Sequence, residues 1–254
     1  MDKKSVVFFM VYHKRPELTR MSLWHMAKVA KKFRDAGHEV DTIVIGSEPE
    51  QRDYCDKLGI EHLWFENNPL FEKMKFAWLS AKEKNRDYIC WMGSNNVQSD
   101  EFWEKSMKKL NGPAVASFGT KHFTIVDGNA RNQKTMKWTR RKYHICSCGQ
   151  FFYTKTIKKT INFQEVFSRP KNSKEGNDFD GSINNHLVQK WGASIIEAHE
   201  DSDGLDCIDI KSDTDIHSFE RYTKGRYPQD FTRDEIYSKF EELQMLESGE
   251  FKDA

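Results

Sequence analysis

The segment Val6-Val7-Phe8-Phe9-Met10-Val11-Tyr12 is apolar at every position. A strand with one wet face alternates apolar and polar side chains. An unbroken run of this length therefore fits a strand covered on both faces, as in a parallel sheet between two layers of helices. Helical spacing follows at Leu18, Trp24, Ala27, Ala30 and Phe33, with Gly37 as a C-terminal stop. The pattern then repeats. Strands are predicted at 40–45, 60–65, 88–92 and 114–118, and helices near 50–58, 71–83 and 100–110. Such alternation with short connections predicts βαβ units, a mostly parallel central α/β sheet flanked by helices, and ligands at the carboxyl ends of the strands. Those ends fall at 12–15, 46–48, 67–73 and 93–96.

The 254 residues suit one large domain or two small ones. No run approaches the 18 or so apolar residues that a spanning helix needs, and no secretory h-region follows the first residues. A soluble, cytoplasmic protein without stable membrane insertion is expected. The odd count of five cysteines suits reduced thiols better than a disulfide framework.

The formal net charge of +1 is a cancellation. Residues 1–120 carry 19 basic and 17 acidic groups, residues 121–174 carry 13 and 2, and residues 175–254 carry 8 and 20. The middle block, with Arg131, Lys134, Lys137, Arg140, Arg141 and Lys142 around Trp138 and Tyr143, predicts an anionic partner. Cations would meet phosphates and aromatics would stack on bases. A merely solvated basic face is the alternative. Beyond 118 the periodicity loosens: 121–145 has no clear period, 149–154 reads as a short strand or loop, and Ile183, Leu187, Val188 and Trp191 suggest a helix. In the tail, Thr232 and Glu235 form a capping-box pattern, and Ile236, Phe240, Leu243 and Leu246 form the apolar stripe of one helix expected to pack on the main domain.

The glycine fingerprint of dinucleotide folds and the P-loop are both absent. The first strand ends instead in Tyr12-His13-Lys14-Arg15-Pro16. The second ends in "IVIGSEPE", and "NNPLFEKMKFAWLSAKE" and "DYICWMGSNNVQSDEFWE" follow. In this order and spacing, over about residues 5–220, the segments resemble the glycosyltransferases of GT-A fold, and the basic block resembles phage members that glycosylate hydroxymethylcytosine in DNA. The resemblance implies a UDP-sugar donor held by Tyr12, Arg15, Glu48, Lys73, Asn95 and Asn96. The last two stand at the positions of the family's acidic DxD-type motif, which holds Mn²⁺ or Mg²⁺ through carboxylates. An amide offers a neutral oxygen instead. A late histidine of the family points to His217 as a metal ligand beside Asn96, with Asp213 and Asp215 as alternatives. The base that deprotonates an acceptor hydroxyl is implied at Asp180, with Asp178 second, although either could simply cap the following helix. "CSCGQFFYT" aligns with the family's acceptor loop, with Gly149 and Gln150 near the reacting sugar.

The resemblance divides the chain into a donor half (1–120), an acceptor-binding and catalytic half of the same domain (121–230) and a C-terminal helix (231–254). It implies a hexosyl- or pentosyltransferase acting on double-stranded DNA bearing hydroxymethylcytosine or its glucosylated form. Two other readings stay open: a transferase for a surface polysaccharide or glycolipid, and a non-catalytic DNA-binding protein on a transferase scaffold.

Overall fold

In the computed structural model the described residues are 3–67, 70–112, 116–120, 122–127, 135–139, 149–156, 195–197, 205–211 and 230–252. Strand β1 (Ser5–Val11) is covered on both sides, which explains its unbroken apolar run. Val6, Phe8 and Met10 pack with residues of α1 (Pro16–Asp35) and α4 (Asp100–Leu110), while Val7 and Phe9 pack with Met74, Ala77 and Trp78 of α3 (Leu70–Glu83). The Phe8 ring meets Phe33 and Trp103 edge-on at 5.2 and 5.9 Å, and Phe9 meets Trp78 at 5.0 Å. Edge-to-face pairs of this kind add to the burial of the rings.

The central sheet has seven strands. Its order is β10 (Ile195–Glu197), β6 (Ser117–Gly119), β9 (Gln150–Tyr153), β4 (Tyr88–Met92), β1, β2 (Glu39–Gly46) and β3 (Glu61–Trp64). All its pairings are parallel except those of β9, which runs antiparallel to both β4 and β6. A second sheet has the order β5 (Asn96–Gln98), β11 (Cys207–Lys211), β7 (His122–Asp127) and β8 (Thr135–Thr139). The α/β class and the mostly parallel sheet flanked by helices are as expected. The short helix predicted near 50–58 is a 3₁₀ turn, Pro49–Gln51, running into α2 (Arg52–Lys57).

Three local expectations need correction. The polar turn at 93–96 does not stay a turn, because Asn96 opens β5 and pairs with Asp209. The stretch read as aperiodic contains the antiparallel pair β7–β8, with Phe123 opposite Trp138 and Thr124 opposite Lys137. The tail stripe is not one helix but two, α5 (Arg233–Lys239) and α6 (Glu241–Ser248), because Phe240 leaves helical geometry at φ −130° and ψ 87°. The stripe is buried nonetheless. Ile236, Phe240 and Leu243 join Met21, Val97, Ile208 and Ile210 in a third core cluster. Thr232 and Glu235 form the full capping box at the start of α5. The helix read at 183–191 lies outside the described residues. Among the described residues no helix is long and apolar enough to cross a membrane.

Candidate active site

The loops at the carboxyl ends of β1, β2, β3 and β4 are joined by side chains that the sequence singled out. After β1 the chain turns sharply. Lys14 and Arg15 both take left-handed backbone, at φ 57° and 53°, which costs a non-glycine residue about 1 kcal/mol or more. Two contacts hold the turn: Lys14 N–H donates to Glu48 Oε1 at 2.9 Å, and Thr19 Oγ1 donates to the Lys14 carbonyl at 3.0 Å. Pro16 then starts α1 at a position where a missing N–H is harmless. Arg15 is thereby aimed across the strand ends, and its Nη2 donates to Ser94 Oγ in the β4–β5 loop at 2.9 Å.

Glu48 closes the second loop over the first. Besides the Lys14 amide, its carboxylate accepts from Ser47 N–H at 3.1 Å and lies 2.7 Å from His13 Nδ1. Burial pushes its pKa up, but the Lys14 and Ser47 hydrogen bonds outweigh burial and hold the carboxyl below its ordinary value. Tyr12 is buried. Its hydroxyl lies 3.1 Å from the Glu48 carbonyl and 2.8 Å from His62 Nε2 on β3. Burial raises the Tyr12 phenol well above its usual range, so it stays protonated and a donor. Lys73 is fully buried at the start of α3. Its ammonium donates to the Tyr12 carbonyl at 2.7 Å and to Ser47 Oγ and Asn67 Oδ1 at 3.4 Å each. One cation thus joins the ends of β1, β2 and β3. Burial lowers its pKa from 10.5 to about 8, against the pull of Glu48.

Tyr12 and Lys73 therefore lie beneath the loops that they hold. His13, Lys14, Arg15, Ser47, Glu48 and Asn95 form the more accessible layer. Gly46 is required here. A Cβ on it would sit 2.0 Å from the Tyr12 ring. Gly46→Ala is expected to displace that ring and cost roughly 1–3 kcal/mol by urea denaturation.

In the β4–β5 loop, Asn95 Nδ2 donates to Asp209 Oδ1 at 2.9 Å and to the Ile210 carbonyl at 2.8 Å. The other oxygen of Asp209 pairs with Lys211 Nζ at 2.7 Å. Asn96 is buried and its amide oxygen folds over Gly93, 1.7 Å from where a Cβ there would stand. These residues do not fit Mn²⁺ or Mg²⁺. A hard cation wants several carboxylate oxygens, and the loop offers the two neutral amide oxygens of Asn95 and Asn96 beside a carboxylate already engaged on both sides. Among the described residues no three His, Cys, Asp or Glu side chains gather as a metal site.

Asp178, Asp180 and His217 lie outside the described residues, as do Arg131, Lys134, Arg140, Arg141 and Lys142; Lys137 and Trp138 lie in β8. The sequence reading missed His62, Ser94, Asp209 and Lys211. His62 carried a signal, being a polar residue in a predicted strand next to the donor loops. Asp209 sits 114 residues from Asn95 along the chain, and neither it nor Lys211 carried one.

The fold is similar to that of a solved glycosyltransferase. A mannosyltransferase from Pyrobaculum calidifontis, solved with GDP-Man and Mn²⁺, superposes with a TM-score of 0.53 at 8% identity over 100% of this chain and 76% of its own. Two further solved structures are similar at lower scores. They are an enzyme involved in glycosylating the major capsid of PBCV-1 (TM-score 0.48, 11% identity, 96% of this chain and 98% of its own) and S. aureus TarS (0.49, 14%, 82% and 35%). No family model and no curated protein sequence matches the chain.

Proposed function

We propose that the protein is a glycosyltransferase that moves a sugar from a nucleotide-sugar donor to a hydroxyl on modified cytosine in DNA. The observation that supports the donor half is the joining of four strand-end loops by Tyr12, Arg15, Glu48 and Lys73, at the edge where such a fold binds ligands. Diphosphate oxygens would meet Lys14 and Arg15, and the resemblance puts the donor's nucleoside as a UDP group beside Glu48. Asp180, with Asp178 as second choice, would take the proton of the acceptor hydroxyl as that oxygen attacks the anomeric carbon; the nucleoside diphosphate leaves. DNA is favoured as acceptor by the 13 basic against 2 acidic residues over 121–174. The hydroxymethyl group would be reached in the major groove, where the thymine methyl lies, or on a flipped base.

A second reading is a DNA-binding protein without transfer activity. The amides of Asn95 and Asn96, in place of acids, favour it. One experiment separates the readings: incubate hydroxymethylated and glucosylated DNA with a panel of UDP- and GDP-sugars, then weigh the released nucleosides by mass spectrometry. A hexose or pentose mass added to cytosine is the expected result. DNA binding without any added sugar would favour the second reading. Sugar transfer to oligosaccharide or lipid acceptors alone would replace DNA by a surface polysaccharide or glycolipid.

A further inference from the structure

An asparagine amide can usually be turned either way, because its oxygen and nitrogen are nearly alike in shape. Asn95 is an exception. Its nitrogen faces two groups that can only accept, the Asp209 carboxylate and the Ile210 carbonyl. The flipped amide would set its oxygen against both. The Ile210 amide also donates back to the Asn95 carbonyl at 2.9 Å, which fixes the backbone at this point. Asp209 is itself held, because its second oxygen takes Lys211 and both side chains are only 10% exposed. The amide oxygen, Oδ1, is consequently turned away from β11. Asn95 is half-buried. The loop that carries it is the one that Arg15 contacts through Ser94.

We propose that Asp209 is a positioning residue of the donor site: it fixes the Asn95 amide so that Oδ1 accepts a hydrogen bond from a hydroxyl of the nucleotide sugar. This rests on the reading of the protein as a nucleotide-sugar transferase. A neutral oxygen that reads a hydroxyl does not require a divalent cation. It also explains why an acid at position 95 is absent: an aspartate there would face Asp209 and the Ile210 carbonyl, three acceptors with no proton between them. The amide stands in the loop and the acid faces it from β11.

The two groups can be swapped by mutation. Asn95→Asp alone should weaken donor binding by about tenfold or more, the loss expected when a hydrogen-bonded pair becomes two facing carboxylates. Adding Asp209→Asn gives the carboxylate introduced in the loop a donor again, and the double variant should recover most of that loss. It now also turns a carboxylate oxygen outward, and its binding should become sensitive to Mn²⁺. Calorimetry with UDP, 2′-deoxy-UDP, UDP-glucose, GDP and GDP-mannose reads these effects. The wild type should bind equally well in EDTA and in Mn²⁺. A preference for UDP over 2′-deoxy-UDP assigns the hydroxyl to the ribose, and a preference for UDP-glucose over UDP assigns it to the transferred sugar.

A double variant no tighter than Asn95→Asp would overturn the role of Asp209. Wild-type binding lost in EDTA would overturn the neutral-oxygen reading without any variant, and so would indifference to both hydroxyls. Failure of every nucleotide to bind, with or without Mn²⁺, would instead reject the transferase reading itself.

Discussion

Glu242→Ala is expected to lower the melting temperature by roughly 10 °C. Glu242 is 2% exposed, in α6. It accepts from His25 Nδ1 at 2.8 Å and from Lys28 Nζ at 3.3 Å, both on α1. Removing the acceptor leaves the buried His25 Nδ1 without this partner and Lys28 with Glu241 alone, and orphaning a buried group that faced a charge costs about 3 kcal/mol. For a chain of this size each kcal/mol is worth about 2–4 °C. Burial on its own would raise the Glu242 pKa, but the His25 hydrogen bond and charge, with Lys28, lower it from 4.5 to about 2. The sign follows from linkage. A carboxyl whose folded pKa is depressed contributes stability that is complete above about pH 4.5 and is lost as pH falls toward about 2. Denaturation curves of wild type and variant should therefore differ most near neutrality and converge through that acid window. A melting point within about 2 °C of wild type at neutral pH would show that the C-terminal helices are not anchored through this pair.

That anchor marks the boundary of what the sequence could disclose. The helices and parallel strands of residues 5–110 were legible because each is a local periodic signal. The buried core of β1 is continuous, the α1 stripe recurs every three to four residues, and glycines punctuate the ends. The capping box at Thr232 and Glu235 is equally local. Phe240 was not legible as a break, since its side chain is buried as the stripe predicts and only its backbone departs from the helix. Strand β9 was ambiguous because "QFFY" is short. Its antiparallel place between β4 and β6 depends on partners that no window of sequence contains. The site divides in the same way. Tyr12, Arg15, Glu48 and Lys73 could be named because the predicted strand ends, where ligands bind, carry segments that resemble GT-A glycosyltransferases. How they are used could not, because Lys73 looks like any surface lysine until three strand ends close over it. Asn95 looked like the loss of an acid, and only β11 shows that an acid stands beside it.

Lys73→Met should separate binding from stability. The ammonium holds the Tyr12 carbonyl, Ser47 Oγ and Asn67 Oδ1 together, so its removal frees the loops after β1, β2 and β3 at once. Donor binding is expected to fall by about ten- to a hundredfold, the equivalent of a lost charge-assisted hydrogen bond. Stability at neutral pH should move by no more than about 1 kcal/mol, because two effects oppose. The Tyr12 carbonyl loses its donor, at a cost of about 1–3 kcal/mol. Against this, the buried ammonium is itself disfavoured: its pKa is lowered from 10.5 to about 8, which corresponds to roughly 3 kcal/mol of destabilisation below pH 8. Between about pH 8 and 10.5 the unfolded chain still holds a proton that the folded one has released. The wild type must then gain stability with rising pH, and the variant, having no such group, must not. Urea denaturation at neutral and alkaline pH should thus show two proteins of similar stability that diverge, with the wild type ahead by about 2–3 kcal/mol near pH 10. Unchanged donor binding in the variant would mean that the loops are set by their own backbone turns at Lys14 and Arg15, with Lys73 a bystander beneath them.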